Sequence, residues 1–315
     1  MSIAVCLLFY SVAVVVFGPP VLTGLTRSGH APRLAVTVWL TAIAGVLASW
    51  AVAAVLIVID VVRHWNSPMT VLAACTARLH DVVTGHAGIA AQLALLVIAG
   101  AAAGALGAVS VRLARTLTHL RVSAHEHAHA VRLVGRTGAE HDVVVMDCAE
   151  PAAYCVAGRP AAIVLTTAAL HTLDGEQLAA VLAHERAHLA GRHLHIVTAL
   201  RALATTLPRV RLITAGAIEV PPLLEMCADD AAAARHGRAA LLSGLLDLAD
   251  TATPAPALGA ANLAVVSRAH RLLTPPAWST QARTYVMLSA AVAIISTGPL
   301  ITVALAATGT LLCMP

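Results

Sequence analysis

The sequence predicts a mainly α-helical membrane protein that carries one small α+β domain. Of its 315 residues, 59% are hydrophobic and only 11% are charged, whereas soluble domains carry about 25% charged residues. Four apolar stretches are long enough to cross a bilayer, and one polar segment separates the third from the fourth. The chain therefore divides into a membrane domain at 1–111, a polar domain at 112–284, and a final span with a short tail at 285–315.

Each predicted membrane span meets the length criterion of about 20 predominantly apolar residues. The spans are 3–22, 36–59, 89–111 and 286–305. In the first, Gly18-Pro19-Pro20 is expected to end or kink the helix. Because this stretch lacks a basic leading region and an A-x-A site, it is typical of a retained span rather than a signal peptide. The third contains Gly100-x-x-x-Gly104, a spacing that lets helices approach closely in lipid but also arises by chance in Ala/Gly-rich sequence.

Arginine placement predicts how the spans are oriented. The chain has no lysine, so its net charge of +4 comes from arginine. Arginines occur in the short first loop and are dense just after the third span, and positive residues favour the cytoplasmic side. This places the N-terminus outside the cell membrane, residues 112–284 in the cytoplasm and the C-terminus outside. The arginines are otherwise scattered and aromatic residues make up only 3%, which argues against direct nucleic-acid binding.

The polar domain is expected to begin as a small sheet and to continue as helices. Short apolar or β-rich runs at 143–146, 153–156 and 161–165, separated by Pro and Gly, predict two or three strands. Asp174 is the expected N-cap of the helix that follows. Beyond it, the pattern predicts helices and one linker in the order 196–207, 223–235, 238–249, a linker at 251–259, and 260–273.

The most informative motif is His184-Glu185-Arg186-Ala187-His188, inside the helix that Asp174 begins. Positions four apart share one helix face, so both imidazoles can bind a single Zn²⁺. Glu185 is then placed to act as the catalytic base on a zinc-polarised water. A catalytic zinc needs a third protein ligand, and Glu225 is the best candidate. Asp229 follows four residues later on the same predicted helix and can accept a hydrogen bond from a ligand histidine.

Several alternatives to this site stay open. The run His125-Glu126-His127-Ala128-His129 also fits H-E-x-x-H, but no acidic helix of the same kind follows it, which favours a solvated helix. Glu219 rivals Glu225 as the third ligand, although a Pro-Pro pair follows it and is expected to separate it from the helix of Asp229. Asp230 rivals Asp229 from a different helix face. Candidates for an additional donor to the reaction's oxyanion are Arg192, His193, Arg235 and His236.

Four runs carry a family resemblance: Ala153-Tyr154-Cys155-Val156-Ala157-Gly158, Ala179-Ala180-Val181-Leu182-Ala183-His184-Glu185-Arg186-Ala187-His188, Glu225-Met226-Cys227-Ala228-Asp229-Asp230 and Arg268-x-x-Arg271-Leu272-Leu273. They resemble the BlaR/MecR-type integral-membrane zinc metallopeptidases and, more distantly, HtpX-type and CAAX proteases. The resemblance implies a cytoplasmic, zincin-like gluzincin domain between spans three and four. In it, His184, His188 and Glu225 would bind zinc and Glu185 would be the catalytic base. BlaR and MecR sensors carry an external penicillin-binding domain after the fourth span, and none is expected here.

The sequence thus favours a membrane zinc metalloendopeptidase that cleaves a protein substrate at the cytoplasmic face. Regulated proteolysis in signalling, such as cleavage of a transcriptional repressor, is the leading interpretation. A housekeeping quality-control protease of HtpX type is the enzymatic alternative, and a non-enzymatic transducer with structural zinc is the other. The expected partners are the lipid bilayer and a protein or peptide, held by strand addition at an exposed sheet edge. The oligomeric state is left open.

Overall fold

Long helices make up most of the chain, which the computed structural model describes at residues 2–63, 88–138, 140–158, 160–250, 267–274 and 277–307. The N-terminal part contains α1 (Ser2–Thr26), α2 (Pro32–Arg63) and α3 (Gly88–Val134). The strands are β1 (Arg136–Thr137), β2 (Val143–Met146), β3 (Ala153–Val156) and β4 (Ala162–Thr166). The later helices are α4 (Thr167–Thr172), α5 (Gly175–Ala190), α6 (His193–Thr206), α7 (Arg211–His236), α8 (Arg238–Asp250), α9 (267–273) and α10 (Trp278–Ala307).

Three helices of the described residues are long and apolar enough to cross a membrane: Ile3–Thr26, Pro32–Ile59 and Trp278–Ala304. They lie in α1, α2 and α10 and pack against one another. The indole of Trp39 donates to the Thr26 hydroxyl at 3.3 Å, and that of Trp50 donates to the Ser11 hydroxyl at 2.9 Å. The Tyr10 hydroxyl donates to the carbonyl of Ile295 at 2.8 Å. Polar bonds that join spanning helices in this way are typical of membrane bundles.

The predicted span boundaries need two corrections and leave one span open. Gly18-Pro19-Pro20 does not end the first helix, because α1 continues to Thr26 with both prolines inside it. Neighbouring helices can supply the packing that makes such prolines tolerable in a membrane helix. The last helix begins at Trp278, earlier than predicted. The predicted third span, 89–111, lies within α3, but most of its side chains fall outside the described residues, so this span stays a prediction.

A four-stranded sheet in the order β1-β2-β4-β3 forms the start of the polar domain. The expectation of two or three strands was wrong because β1 is a two-residue strand, too short to leave a β-rich run in the sequence. Strands β2 and β4 are parallel, whereas β1 and β3 pair antiparallel to their neighbours. Ala128 and Val131 of α3 cover one face of the sheet, and Leu182 of α5 packs on the other. Strand β3 is therefore an edge strand that runs beside α5.

Helix α7 joins the polar domain to the membrane helices. It begins at Arg211 and passes through Pro221-Pro222, so the prediction that a helix starts only after these prolines was wrong. Leu212, Ile213 and Val220 of its first half are buried in one cluster with Trp39, Ile43 and Val46 of α2. Helix α6 packs on the same cluster through Leu200.

The helical prediction for 196–207 is confirmed by α6 and that for 238–249 by α8. Of the predicted 260–273 helix, residues 267–273 are helical in the structure. The predicted linker at 251–259 lies outside the described residues.

Candidate metal centre

Helix α5 carries the H-E-x-x-H motif and is fixed at both its start and its buried face. Asp174 caps it as predicted: its carboxylate accepts from the N–H groups of Glu176 and Gln177, and the Gln177 side chain accepts from the Asp174 N–H at 2.8 Å. This capping box satisfies N–H groups that would otherwise be unpaired. Further along, the imidazoles of His184 and His188 are buried between α5 and α7.

Three candidate ligand atoms converge on one point. The Nε2 atoms of His184 and His188 lie 3.1 Å apart. Oε2 of Glu225 lies 3.6 Å from Nε2 of His184, and Oε1 lies 3.5 Å from Nε2 of His188. Nitrogen and oxygen ligands at about 2.0–2.2 Å from a tetrahedral zinc stand about 3.3 Å from one another. The three donors therefore have the spacing and the chemistry that a divalent cation requires.

A buried ion pair stands behind the first imidazole. Nδ1 of His184 lies 3.2 Å from Oδ1 of Asp229, although the two atoms are not aligned as a hydrogen bond. Asp229 has no exposed surface. Its carboxylate accepts two hydrogen bonds from Arg268, whose third nitrogen, Nη1, is 3.1 Å from Glu225 Oε2. With Glu185, the site holds three carboxylates against one guanidinium, so a divalent cation would balance its formal charge.

The pKa values of His184 and His188 are shifted in opposite directions, although the two imidazoles face each other. Burial alone would lower the pKa of His184, but its contacts with Asp229 and Glu225 outweigh burial and raise the pKa to about 9. Burial lowers the pKa of His188 to about 4, despite the charge of Glu225. Burial would raise the pKa of Glu225, yet His184 and Arg268 hold it below its usual range. The site therefore favours one positive charge among its donors, in the place where a cation would sit.

Glu185 faces the sheet edge as well as the three donors. Burial raises the pKa of Glu185 to about 7, against the lowering effect of His184, and the charge of Glu225 raises it further. The thiol and the backbone N–H of Cys155, in β3, act in the opposite direction and partly offset this increase. The carboxyl is thus balanced between its acid and base forms near neutral pH, which suits a group that must accept and then return a proton.

On the opposite side of His188 lies a third histidine. The Nδ1 atoms of His193 and His188 are 2.9 Å apart, and both rings are buried. Burial lowers the pKa of His193, so its ring is neutral near neutral pH. His193 was predicted as a possible donor to the oxyanion, but the structure places it behind His188, on the Nδ1 side of that ring.

The alternative site residues fall elsewhere. Glu219 lies on the same helix as Asp229, contrary to the prediction, but it is not among the residues that converge with His184. Asp230 is exposed and pairs with Arg271 at 2.7 Å. The second H-E-x-x-H run lies on α3 with His125, Glu126 and His129 exposed. Three of the candidate oxyanion donors are also exposed: Arg192, Arg235 and His236.

Sequence reasoning did not assign a role to Arg268. It stands 39 residues after Asp229 in the chain, and its only sequence signal was the Arg268-x-x-Arg271 run. Nothing local distinguishes it from the exposed arginines, because its function in the site depends on a contact that only the fold creates.

The comparison with protein families agrees with this geometry. The model of peptidase family M48 matches residues 116–249, a range that includes the sheet, α5 and Glu225. The match supports a metallopeptidase of family M48, whose members are metal-dependent hydrolases. The matched segment covers less than half of the chain. The narrower resemblance to BlaR/MecR-type peptidases goes beyond this match. No match to the chain was found among curated proteins or among solved structures.

Proposed function

We propose that this protein is a membrane-anchored zinc endopeptidase, with His184, His188 and Glu225 as metal ligands and Glu185 as the catalytic base. The observation that carries the proposal is the convergence of three donor atoms, with all three within 4.8 Å of one another, beside a carboxyl of raised pKa. The segment that contains them matches a metallopeptidase family. A structural zinc site would be closed by four protein ligands, and no fourth ligand joins this group among the described residues.

Each side chain of the site has one task in peptide hydrolysis. A zinc ion bound by these ligands would polarise water and stabilise the charge that develops on the peptide carbonyl oxygen. Glu185 accepts the proton of the attacking water and returns it to the amine that leaves. A cation held beside Glu185 favours its ionised form, which is the form that acts as a base. Asp229 keeps the proton of His184 on Nδ1, which leaves the Nε2 lone pair for the metal.

The substrate is proposed to bind as an extra strand along β3. Thr166 N–H donates to the carbonyl of Ala152 at 3.0 Å, which sets the hydrogen-bonding phase between β3 and β4. Hydrogen-bonded and non-bonded pairs alternate along an antiparallel ladder, so the backbones of Ala153 and Cys155 face the free edge. The backbone N–H of Cys155 interacts with the Glu185 carboxyl, as expected for a group that faces away from β4. An extended peptide on this edge would run past the catalytic carboxylate.

The site lies close to the ends of the membrane helices. Gly29, in the connection between α1 and α2, adopts a left-handed conformation (φ +62°). The side chain of Met226, the neighbour of Glu225, packs against its Cα. Arg271 donates to the carbonyl of Gly29 at 3.0 Å. A substrate at this site would therefore be held next to the bilayer. This placement favours the second candidate, quality-control cleavage of membrane proteins, whereas the BlaR/MecR resemblance favours cleavage of a cytoplasmic repressor.

The orientation follows from the arginine distribution, and we propose that the peptidase domain faces the cytoplasm. Digestion of intact cells with an added protease would test it, because a cytoplasmic domain stays protected until the membrane is opened.

The decisive experiment compares wild type with Glu185→Gln in detergent, with Glu176→Gln as the matched control on the same helix, where Glu176 is exposed. Zinc content and cleavage of an unfolded protein substrate are both measured. We expect all three proteins to bind one zinc and only Glu185→Gln to lose cleavage, by about 10²–10⁴-fold. Equal cleavage by Glu185→Gln would remove this carboxyl from the mechanism, and wild type without bound zinc would overturn the proposed metal site.

A further inference from the structure

The chain makes an unusual turn directly after the metal-site helix. Helix α5 ends at Ala190, and α6 begins at His193. Between them, Arg192 has φ 52° and ψ 35°, and it is the non-glycine residue with positive φ in the described part of the chain. Such a left-handed residue costs on the order of 1 kcal/mol, so its surroundings must fix it. The turn brings the ring of His193 back over the last turn of α5.

A glycine makes room for that ring. A Cβ placed on Gly191 would overlap the Nε2 and Cδ2 atoms of the His193 imidazole and approach the Ala187 carbonyl at 3.1 Å. Any other residue at this position would displace the ring. Two backbone features, the left-handed residue and the glycine, therefore serve the placement of one histidine side chain.

The placement joins His193 to a candidate metal ligand. The two Nδ1 atoms lie 2.9 Å apart, and the ring planes of His188 and His193 are perpendicular, at 89° with centroids 4.8 Å apart. Nε2 of His188 points the other way, toward His184 and Glu225. A neutral imidazole carries a single N–H. If Nε2 of His188 binds a metal, its proton must be on Nδ1, and the Nδ1 of His193 must accept it.

We propose that His193 is a positioning residue that accepts a hydrogen bond from Nδ1–H of His188. It thereby fixes the tautomer and the orientation of that ligand, which is the task proposed above for Asp229 beside His184. This inference rests on the proposed function, because it takes His188 as a zinc ligand. Ligand histidines commonly donate their second N–H to a carboxylate, a carbonyl or water, and here an imidazole would take that place.

The test compares three variants at two histidines of α6. His193→Leu removes the acceptor and keeps an apolar side chain, whereas His193→Asn keeps an oxygen acceptor near the position of Nδ1. His195→Leu is the matched control, because His195 is exposed two residues further along the same helix. The zinc dissociation constant is measured by competition with a chelator. We expect His193→Leu to weaken zinc binding about 10–100-fold, His193→Asn to recover most of that loss, and His195→Leu to bind as wild type does.

Zinc binding by His193→Leu equal to that of wild type would overturn the inference. Equal losses in the Leu and Asn variants would overturn it as well, because they would indicate packing rather than an acceptor. A measurement on the wild type needs no variant to fold: in zinc-loaded protein with ¹⁵N-labelled histidine, we expect a scalar coupling between the two Nδ1 atoms across the N–H···N bond. A His188 proton found on Nε2 would contradict it. Wild type that binds no zinc would contradict the proposed function itself, which distinguishes the two failures.

Discussion

Arg268 holds the buried carboxylate of Asp229 through two hydrogen bonds, from Nε at 2.8 Å and from Nη2 at 2.7 Å. Bidentate pairs of this kind are stronger and more directional than single contacts. Because Asp229 lies on α7 and Arg268 on α9, the pair also ties α7, the helix that carries Glu225, to the segment that precedes the last membrane helix. The ion pair therefore has two effects: it holds α7 and α9 together, and it contributes the positive charge that partly balances the carboxylates of the site.

Removal of the guanidinium should destabilise the protein strongly. In Arg268→Met, Asp229 would keep a buried charge with only His184 beside it, and breaking a buried pair costs about 3–5 kcal/mol. The matched control is Arg271→Met, because its partner Asp230 has 45% of its side chain exposed and pairs with exposed groups contribute about 1 kcal/mol or less. This variant also loses the bond to the Gly29 carbonyl, which is worth about 1 kcal/mol. Denaturation of the zinc-free proteins in detergent measures both. A loss for Arg268→Met no larger than that for Arg271→Met would contradict this account of the buried pair.

Asp229 should also affect metal affinity without contact to the metal. In Asp229→Asn the amide no longer attracts the proton of His184 to Nδ1 as a carboxylate does. We expect zinc affinity to fall about 10–100-fold. Asp230→Asn, the next residue on the helix but exposed, should leave affinity unchanged. Chelator competition measures both variants, and an unchanged affinity in Asp229→Asn would show that the carboxylate does not support the ligand.

Local signals in the sequence predicted the part of the site that lies on one helix. Asp174 marks the start of α5, and the spacing of four places His184 and His188 on one face, so no long-range information was needed. The start of helix α7 was harder to predict, because Pro221-Pro222 favours a break in the helix. Each buried aliphatic side chain contributes about 1.5–3 kcal/mol, so the buried cluster that includes Leu212 and Val220 outweighs a cost of about 3 kcal/mol for each proline.

The remaining parts of the site depend on contacts between distant segments. Arg268 reaches Asp229 only because α9 packs beside α7, and no spacing rule links them. His193 was recognised as a nearby residue, but its place behind His188 follows from the left-handed backbone of Arg192, which the residue type does not predict. Positive φ is ordinarily predicted at glycine or asparagine, and an arginine gives no such signal.

The ion pair between Arg186 and Asp142 should make stability depend on acidity in a narrow range. The hydrogen bond from Arg186 is the main reason why the pKa of Asp142 lies below its usual value, against the opposing effect of burial. A carboxyl whose pKa is lowered by folding stabilises the folded state above its ordinary pKa, and this contribution disappears as the pH falls through the folded pKa. The loss is therefore expected below about pH 4.

The measurement is the difference in melting temperature between zinc-free wild type and Asp142→Asn from pH 3 to pH 7. We expect wild type to be the more stable at pH 6 and the difference to shrink at pH 3. The effect should be small, because both side chains are about a third exposed and water screens the pair. In the Arg186→Gln background the Asn substitution should produce no such trend, and a trend of equal size there would assign it to another group.

Strand addition along β3 predicts opposite outcomes for proline at two adjacent positions. The N–H of Ala153 faces the free edge, so Ala153→Pro removes no bond within the sheet, and proline is tolerated at such edge positions. It would remove one backbone bond to an incoming peptide, about 1 kcal/mol, and its ring would crowd the peptide further. We expect KM to rise about fivefold to tenfold, with kcat nearly unchanged and the melting temperature close to that of wild type.

Tyr154→Pro is the contrasting variant, because Tyr154 pairs with Val164 and proline there breaks the ladder, so the protein should be clearly destabilised. An Ala153→Pro enzyme that is stable and keeps the wild-type KM would show that the substrate does not use this edge.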